Sequence, residues 1–172
     1  MLTLDVGCGE NKRGDIGTDV KLTPCVDVVS NTYHLPFKAD TFDSIHLLEV
    51  LEHLENPSDA LREINRVLKQ DGILHCSIPN VYWCGRILRV LLHKPIDECY
   101  TSHEHINSWT IYETRHLLGY NGFRLQDYSY ANSGSYRGVG RLFDILGLNK
   151  IFKALTNHQL FFSAKKMSHE MF

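Results

Sequence analysis

The stretch that most constrains the fold lies near the start of the chain, where a short apolar run ends in an acidic residue and then breaks into Gly-x-Gly. Residues 2–10 read Leu-Thr-Leu-Asp-Val-Gly-Cys-Gly-Glu. This pattern predicts a buried strand that feeds a tight turn. Glycines let such a turn reverse sharply and let a ligand approach without meeting a Cβ atom. Because ligands of open α/β sheets bind where the strands end, we expect a ligand-binding loop at residues 7–9.

The rest of the sequence alternates strand and helix patterns, which predicts a single α/β domain over residues 1–172, built as a three-layer sandwich. A helix is expected to begin at Asn56-Pro57 as cap and first position and to end at Gly72, and a capping box at Thr110 to Glu113 predicts another. Residues 95–107 are predicted to be an irregular insertion. Strands are expected at residues 2–6, 16–20, 26–29, 42–48, 73–78, 123–130 and 159–164, and further helices at 81–93 and within 139–155.

The first crossover is unusually short. Only residues 10–15 separate Gly9 from the second predicted strand at Ile16. A parallel crossover normally needs at least about 10–12 residues, usually with a helix. The first helix is therefore expected to be a single turn or absent, and no helices are expected before the first strand.

The composition of the chain disfavours several classes of protein. A formal net charge of −2 disfavours a nucleic-acid binder that is strongly steered by charge. The five cysteines form no Cys-x-x-Cys pair, which is typical of reduced thiols in a cytoplasmic protein. No apolar run approaches the roughly 20 residues of a membrane span, and no signal peptide is evident, so no membrane partner is expected.

Residues 4–9 resemble the first motif of the class I S-adenosylmethionine-dependent methyltransferases, hydrophobic-Asp/Glu-x-Gly-x-Gly, and in particular small members of the methyltransferase type 11 kind. The resemblance is good over residues 1–78 and looser through Gly122-Phe123. It implies a Rossmann-like, mostly parallel seven-stranded sheet with an antiparallel last strand. It also implies S-adenosylmethionine as cofactor and S-adenosylhomocysteine as product. Further similarity lies at Asp19, Leu35-Pro36-Phe37, Leu51-Glu52-His53 and Arg66-Val67-Leu68-Lys69.

By this resemblance, Asp19 accepts hydrogen bonds from the ribose diol, a charge-assisted interaction of the stronger kind. Asn31 would accept from the adenine amino group through its side-chain oxygen, and Thr32 would offer a backbone donor. The alternatives are that Asp19 is a turn aspartate and that Asn31 makes its own turn. The full set of expected cofactor-binding residues is Asp5, Gly7, Cys8, Gly9, Asp19, Val20, Asn31, Thr32, Leu35 and Glu49.

Three histidines are the candidate catalytic residues: His53, His103 and His105. Histidine titrates near neutral pH, so it suits removal of a proton from a hydroxyl or amine acceptor. Tyr100, His103 and His105 are expected to approach the methyl group if residues 81–107 close over the site, from the same chain or from a symmetry mate. The alternative is that residues 81–93 pack on the sheet and that residues 95–107, with their histidines, stay in solvent.

Glu49, Glu52 and His53 have the Glu-x-x-Glu-His spacing of quinone-pathway O-methyltransferases, which can hold a divalent cation. Because the Leu-Glu-His triplet is also widespread in metal-free relatives, no metal is expected.

The function expected from this resemblance is methyl transfer from S-adenosylmethionine to an oxygen or nitrogen of a small molecule. A second copy or a partner chain is a candidate to cover the open cofactor edge. A nicotinamide-dependent dehydrogenase is disfavoured because Lys12 stands where Gly-x-Gly-x-x-Gly requires its third glycine. A non-catalytic, methyltransferase-like module that binds cofactor or a partner remains open.

Overall fold

The structure is a computed structural model that describes residues 1–94, 105–131 and 153–168. Its seven strands form one sheet in the order β3-β2-β1-β4-β5-β7-β6. The first five strands pair in parallel, and β7 lies antiparallel between β5 and β6. The predicted α/β fold is therefore confirmed. The strands are β1 Thr3–Val6, β2 Ile16–Asp19, β3 Val28–Val29, β4 Phe42–Leu48, β5 Leu68–Pro79, β6 Phe123–Ala131 and β7 Gln159–Lys166.

The helices are α1 Pro57–Val67, α2 Cys84–Leu91, α3 Ile111–Tyr120 and α4 Lys153–Thr156, and a 3-10 turn spans Leu51–His53. The first helix, α1, buries Ala60, Leu61, Ile64 and Val67 in the hydrophobic core. It is tied to the end of α3 by Asn65, whose Nδ2 donates to the carbonyl oxygens of Asn121 and Gly122 at 3.2 Å each. In the described part of the chain, no helix has the length and apolar character that a membrane crossing requires.

The short first crossover is confirmed, since residues 1–94 contain no helix between β1 and β2. Its loop lies directly on β1: Asp15 N donates to Thr3 O at 2.9 Å, and Thr3 N donates to Asp15 Oδ2 at 2.8 Å. A Cβ atom on Gly14 would come within 2.8 Å of Thr3 O. The glycine thus allows the loop to lie against the strand without an intervening helix.

Helix α1 differs from the prediction because it ends at Val67 and not near Gly72. Leu68 is extended, with ψ 135°, and pairs with Phe42 as the first residue of β5. Leu68 is fully buried, so pairing it into the sheet places its side chain in the core. The helix begins where predicted, but the side chain of Asn56 makes no capping hydrogen bond. The capping box at Thr110 and Glu113 is present.

Candidate cofactor and acceptor site

The Gly7–Gly9 loop leaves β1 at the carboxyl edge of the sheet. Gly7 and Gly9 have φ values of +72° and +53°, a backbone conformation that residues other than glycine rarely adopt. Gly7 N and Cys8 N both donate to Thr18 O, at 2.8 and 3.1 Å, which fastens the loop to β2. A Cβ atom on Gly9 would have no neighbour within 4 Å. A ligand can therefore approach the backbone at Gly9.

Asp19 ends β2 beside this loop. Its Oδ2 accepts from Gly9 N and its Oδ1 accepts from Lys21 N, both at 3.0 Å. A carboxylate offers about four lone-pair positions, so two remain for a ligand. Val20, next to it, is an exposed apolar side chain. The geometry is that of a carboxylate held in place by backbone donors and still able to accept from a diol.

Asp5 and Cys8 are buried beneath the loop. The Asp5 carboxylate accepts from Arg13 N at 2.6 Å, so it orders the short crossover. Burial, followed by the carboxylates of Asp5 and Asp19, raises the pKa of the Cys8 thiol. The thiol is therefore kept in its protonated form, as suits a packing residue.

The loop after β3 lies beside Asp19, because Ser30 N donates to Asp19 O at 3.0 Å. Here Asn31 makes its own turn: its Oδ1 accepts from Tyr33 N at 3.0 Å. Thr32 is buried, and Leu35 belongs to the hydrophobic core. Asn31 thus lies near Asp19, and its local turn already uses one of the acceptor positions of its side-chain oxygen.

Glu49 and Glu52 lie beyond β4. Glu49 adopts φ +55°, a strained conformation for a residue with a side chain, and its Oε1 accepts from Ser77 Oγ at 2.7 Å. Glu52 is fully buried, and neither of its carboxylate oxygens has a hydrogen bond among the described residues. Burial, and then the neighbouring Glu49 carboxylate, raise the pKa of Glu52 to about 8. Without a cationic ligand, Glu52 is thus largely protonated at neutral pH.

His53 and His105 come together next to Glu52. Their ring centroids are 4.7 Å apart at an interplanar angle of 64°. The contact arises because Ile106 N and Asn107 N donate to Glu52 O at 3.0 and 3.1 Å, which holds the segment after residue 104 against the 3-10 turn. Candidate ligand atoms of Glu52, His53 and His105 all lie within 4.8 Å of one another. The other predicted residues here, His103 and Tyr100, lie outside the described residues.

Helix α2 lies near this cluster. Arg86 on α2 is 5% exposed and is close enough to Glu52 to favour its ionised form. Five large apolar side chains in and just after α2 are 41–70% exposed: Ile87, Leu88, Val90, Leu91 and Leu92. Helix α2 and the residue after it thus leave several apolar side chains exposed. The burial of Arg86 could not be predicted, because the residues next to it in the sequence do not indicate that this position is buried.

The chain is similar to known proteins in sequence and in fold. Residues 11–76 match the model of a family described as a methyltransferase domain. An uncharacterized protein of Methanocaldococcus jannaschii is 36% identical over 104 residues, which cover 52% of this chain and 41% of that protein. The chain spans 41% of the length of each of two curated relatives from that organism.

Two solved structures share the fold. One is a Methanosarcina mazei S-adenosylmethionine-dependent methyltransferase, with a TM-score of 0.65 at 17% identity over 96% of this chain and 92% of that one. The other is a complex between the Haloferax volcanii Trm112 methyltransferase activator and a methyltransferase, with a TM-score of 0.63 at 17% identity over 99% of this chain and 83% of that one. Residues 11–76 thus match a methyltransferase-domain family, and the chain shares its fold with solved S-adenosylmethionine-dependent methyltransferases.

Proposed function

We propose that this chain binds S-adenosylmethionine at the Gly7–Gly9 loop and transfers its methyl group to an oxygen or nitrogen of a small-molecule acceptor. The observation that carries the proposal is the open space at Gly9, next to an Asp19 carboxylate that retains two acceptor positions. The ribose diol would donate to Asp19 while the methionine portion runs over the glycines. The acceptor end would then lie towards Glu49 and the pair His53 and His105.

The chemistry is an in-line displacement at a positively charged sulfonium. Most of the rate enhancement in such a transfer comes from holding the acceptor atom and the methyl group in line. A hydroxyl or amine acceptor also loses a proton, and His53 and His105 are the proposed residues to receive it. His103 keeps this role as an expectation from the sequence.

Calorimetry of the purified chain with S-adenosylmethionine and S-adenosylhomocysteine tests the cofactor assignment. Saturable binding of both, with one ligand per chain, is expected. Binding of a nicotinamide dinucleotide but neither sulfur compound would contradict the proposal. Transfer from methyl-labelled S-adenosylmethionine into the small-molecule fraction of a cell extract would then support the acceptor class.

The second candidate function is methyl transfer to a macromolecule, or methyl transfer that requires a partner chain. The exposed apolar side chains of α2 favour it, because contiguous apolar surface often marks an interface. The Haloferax volcanii relative in complex with an activator protein gives a precedent in this fold. Label that enters only the protein or nucleic-acid fraction of the extract would favour this candidate. Cofactor binding with no label in any fraction, even when extract proteins are present, would favour the non-catalytic module.

A further inference from the structure

We propose that Glu52, His53 and His105 form a binding site for a divalent transition-metal ion of the zinc class. Two imidazoles and one carboxylate, from the 3-10 turn and from the segment that precedes α3, present ligand atoms within 4.8 Å of one another. Zinc–ligand distances of about 2.0–2.2 Å place tetrahedral ligand atoms roughly 3.3–3.5 Å apart, so side-chain shifts of about 1–1.5 Å would bring these atoms around an ion.

The donor set decides the class of ion. Imidazole nitrogen suits zinc and neighbouring transition metals, whereas magnesium and calcium prefer oxygen ligands. Two histidines and one glutamate are also a known ligand set of catalytic zinc, in which a fourth position stays open. His53 is exposed, so the open position would face the solvent side of the cluster.

Glu52 supplies an independent indication. Its side chain is fully buried, and neither carboxylate oxygen has a hydrogen bond in the described part of the chain. Ionising a buried carboxyl group that lacks hydrogen-bond donors is costly, and a bound cation is one of the few groups that would stabilise the ionised form. Its placement therefore points towards a ligand and is hard to explain by packing alone.

The arrangement is held by backbone hydrogen bonds. Ile106 N and Asn107 N donate to Glu52 O, and Asn107 Nδ2 donates to Leu54 O at 2.6 Å. These bonds fix His105 relative to the 3-10 turn. Glu49, which the sequence spacing pairs with Glu52 and His53, instead accepts a hydrogen bond from Ser77 Oγ. The third ligand is thus His105, a residue that the Glu-x-x-Glu-His spacing does not include.

The role of the ion follows from chemistry and rests on the proposed function. An acceptor hydroxyl on the open position would become more acidic and release its proton to water. The acceptor oxygen would then form a bond to the methyl carbon as the sulfur–carbon bond breaks and its electron pair stays on sulfur. When the ion is bound, His53 and His105 would be its ligands and would not receive the acceptor's proton. The ion would instead promote loss of that proton to water.

The test measures metal binding and not turnover. The full chain, freed of metal with a chelator, is titrated with zinc by calorimetry, and with cobalt(II) by visible absorption. One equivalent of zinc is expected to bind, more tightly than magnesium, with a tetrahedral-type cobalt spectrum. Replacement of a ligand, His53→Gln, His105→Gln or Glu52→Gln, is expected to weaken zinc binding at least about tenfold. His116→Gln, which alters an exposed histidine on α3, is the matched control.

Absence of zinc binding would overturn the proposal, and so would unchanged binding in His53→Gln or an equal loss in His116→Gln. Because His53 is exposed, its variant gives a decision even if Glu52→Gln or His105→Gln fails to fold. Arg86 also interacts with Glu52 and could occupy the place of the ion. If zinc binds to Arg86→Met and not to the wild type, Glu52 is a partner of Arg86 in the native protein, and the proposed site is contradicted. Binding of S-adenosylhomocysteine by the same samples keeps the two proposals apart, since either can fail while the other holds.

Discussion

Asp19 carries two backbone hydrogen bonds and, in our proposal, two more from the ribose. Asp19→Ala is expected to weaken binding of S-adenosylmethionine and S-adenosylhomocysteine by about 1.5–3 kcal/mol, the range for hydrogen bonds to a charged group. Calorimetry measures the change directly. Asp59→Ala is the control, because Asp59 forms an exposed ion pair with Arg62 on α1. Equal affinity of a folded Asp19→Ala protein and the wild type would remove Asp19 from the site.

Gly9 combines a positive φ with open space, so a side chain there would be strained and would also enter the proposed ligand path. Gly9→Val is expected to abolish cofactor binding and to lower the unfolding free energy by about 1–2 kcal/mol, the cost of a left-handed conformation. Urea unfolding measures the stability, and calorimetry measures the binding.

Gly9→Ala is the companion variant. It adds a smaller side chain at the same backbone conformation, so cofactor affinity is expected to fall less than in Gly9→Val. Full affinity in both variants would mean that the ligand does not pass over this loop.

At the scale of single residues, the placement of the glycine loop beside Asp19 could be predicted from the sequence, whereas the contact between His53 and His105 could not. Asp5, Gly7, Gly9 and Asp19 lie at the ends of adjacent strands, so the local pattern placed them at one edge. The contact of His53 with His105 depends on backbone donors of residues 106 and 107 that meet Glu52 O. The spacing of apolar residues along the sequence does not predict such a contact between two distant segments.

Among the secondary-structure elements, β4 and β5 bring two histidines side by side. His46 pairs with His75 across the strands, and their rings stack with centroids 5.1 Å apart. Burial lowers the pKa of both imidazoles. The unfolded chain therefore binds protons before the folded protein does as the pH falls below about 6.5.

We accordingly expect this pair to leave stability intact above about pH 6.5 and to lower the unfolding free energy as the pH falls below it. In His75→Gln, the decrease between about pH 7 and pH 5.5 should be smaller than in the wild type, as measured by urea unfolding. The comparison of variant with wild type cancels other titrating groups, such as Glu52. His34→Gln, at an exposed position, is the control, and parallel curves for His75→Gln and the wild type would contradict the prediction.

The elements also show why some boundaries could be predicted and others could not. The helix at Thr110 was predictable because its capping box lies within four consecutive residues. The end of α1 was not, because Leu68 to Asp71 would also fit a helix and only pairing with β4 makes Leu68 extended. Long-range pairing thus overrides a local preference at that junction.

At the scale of the whole molecule, the exposed apolar side chains of α2 are a candidate cover for the proposed cofactor site. We predict that saturating S-adenosylhomocysteine slows hydrogen exchange in residues 84–94, because α2 lies near Glu52 and its apolar side chains are exposed. Helix α3 provides the internal control. Unchanged exchange in α2 would indicate that this surface serves a partner chain or the acceptor and not cofactor closure.

The strand order delays the pairing of β6 while the chain is being synthesised. Because β7 lies between β5 and β6, strand β6 has no neighbour in the sheet until residues 159–166 have been synthesised. A nascent chain on the ribosome therefore exposes two unpaired strand edges, on β5 and β6, until translation is well advanced. Such edges favour pairing with other chains, so a premature stop before β7 should yield aggregates and not a smaller folded protein.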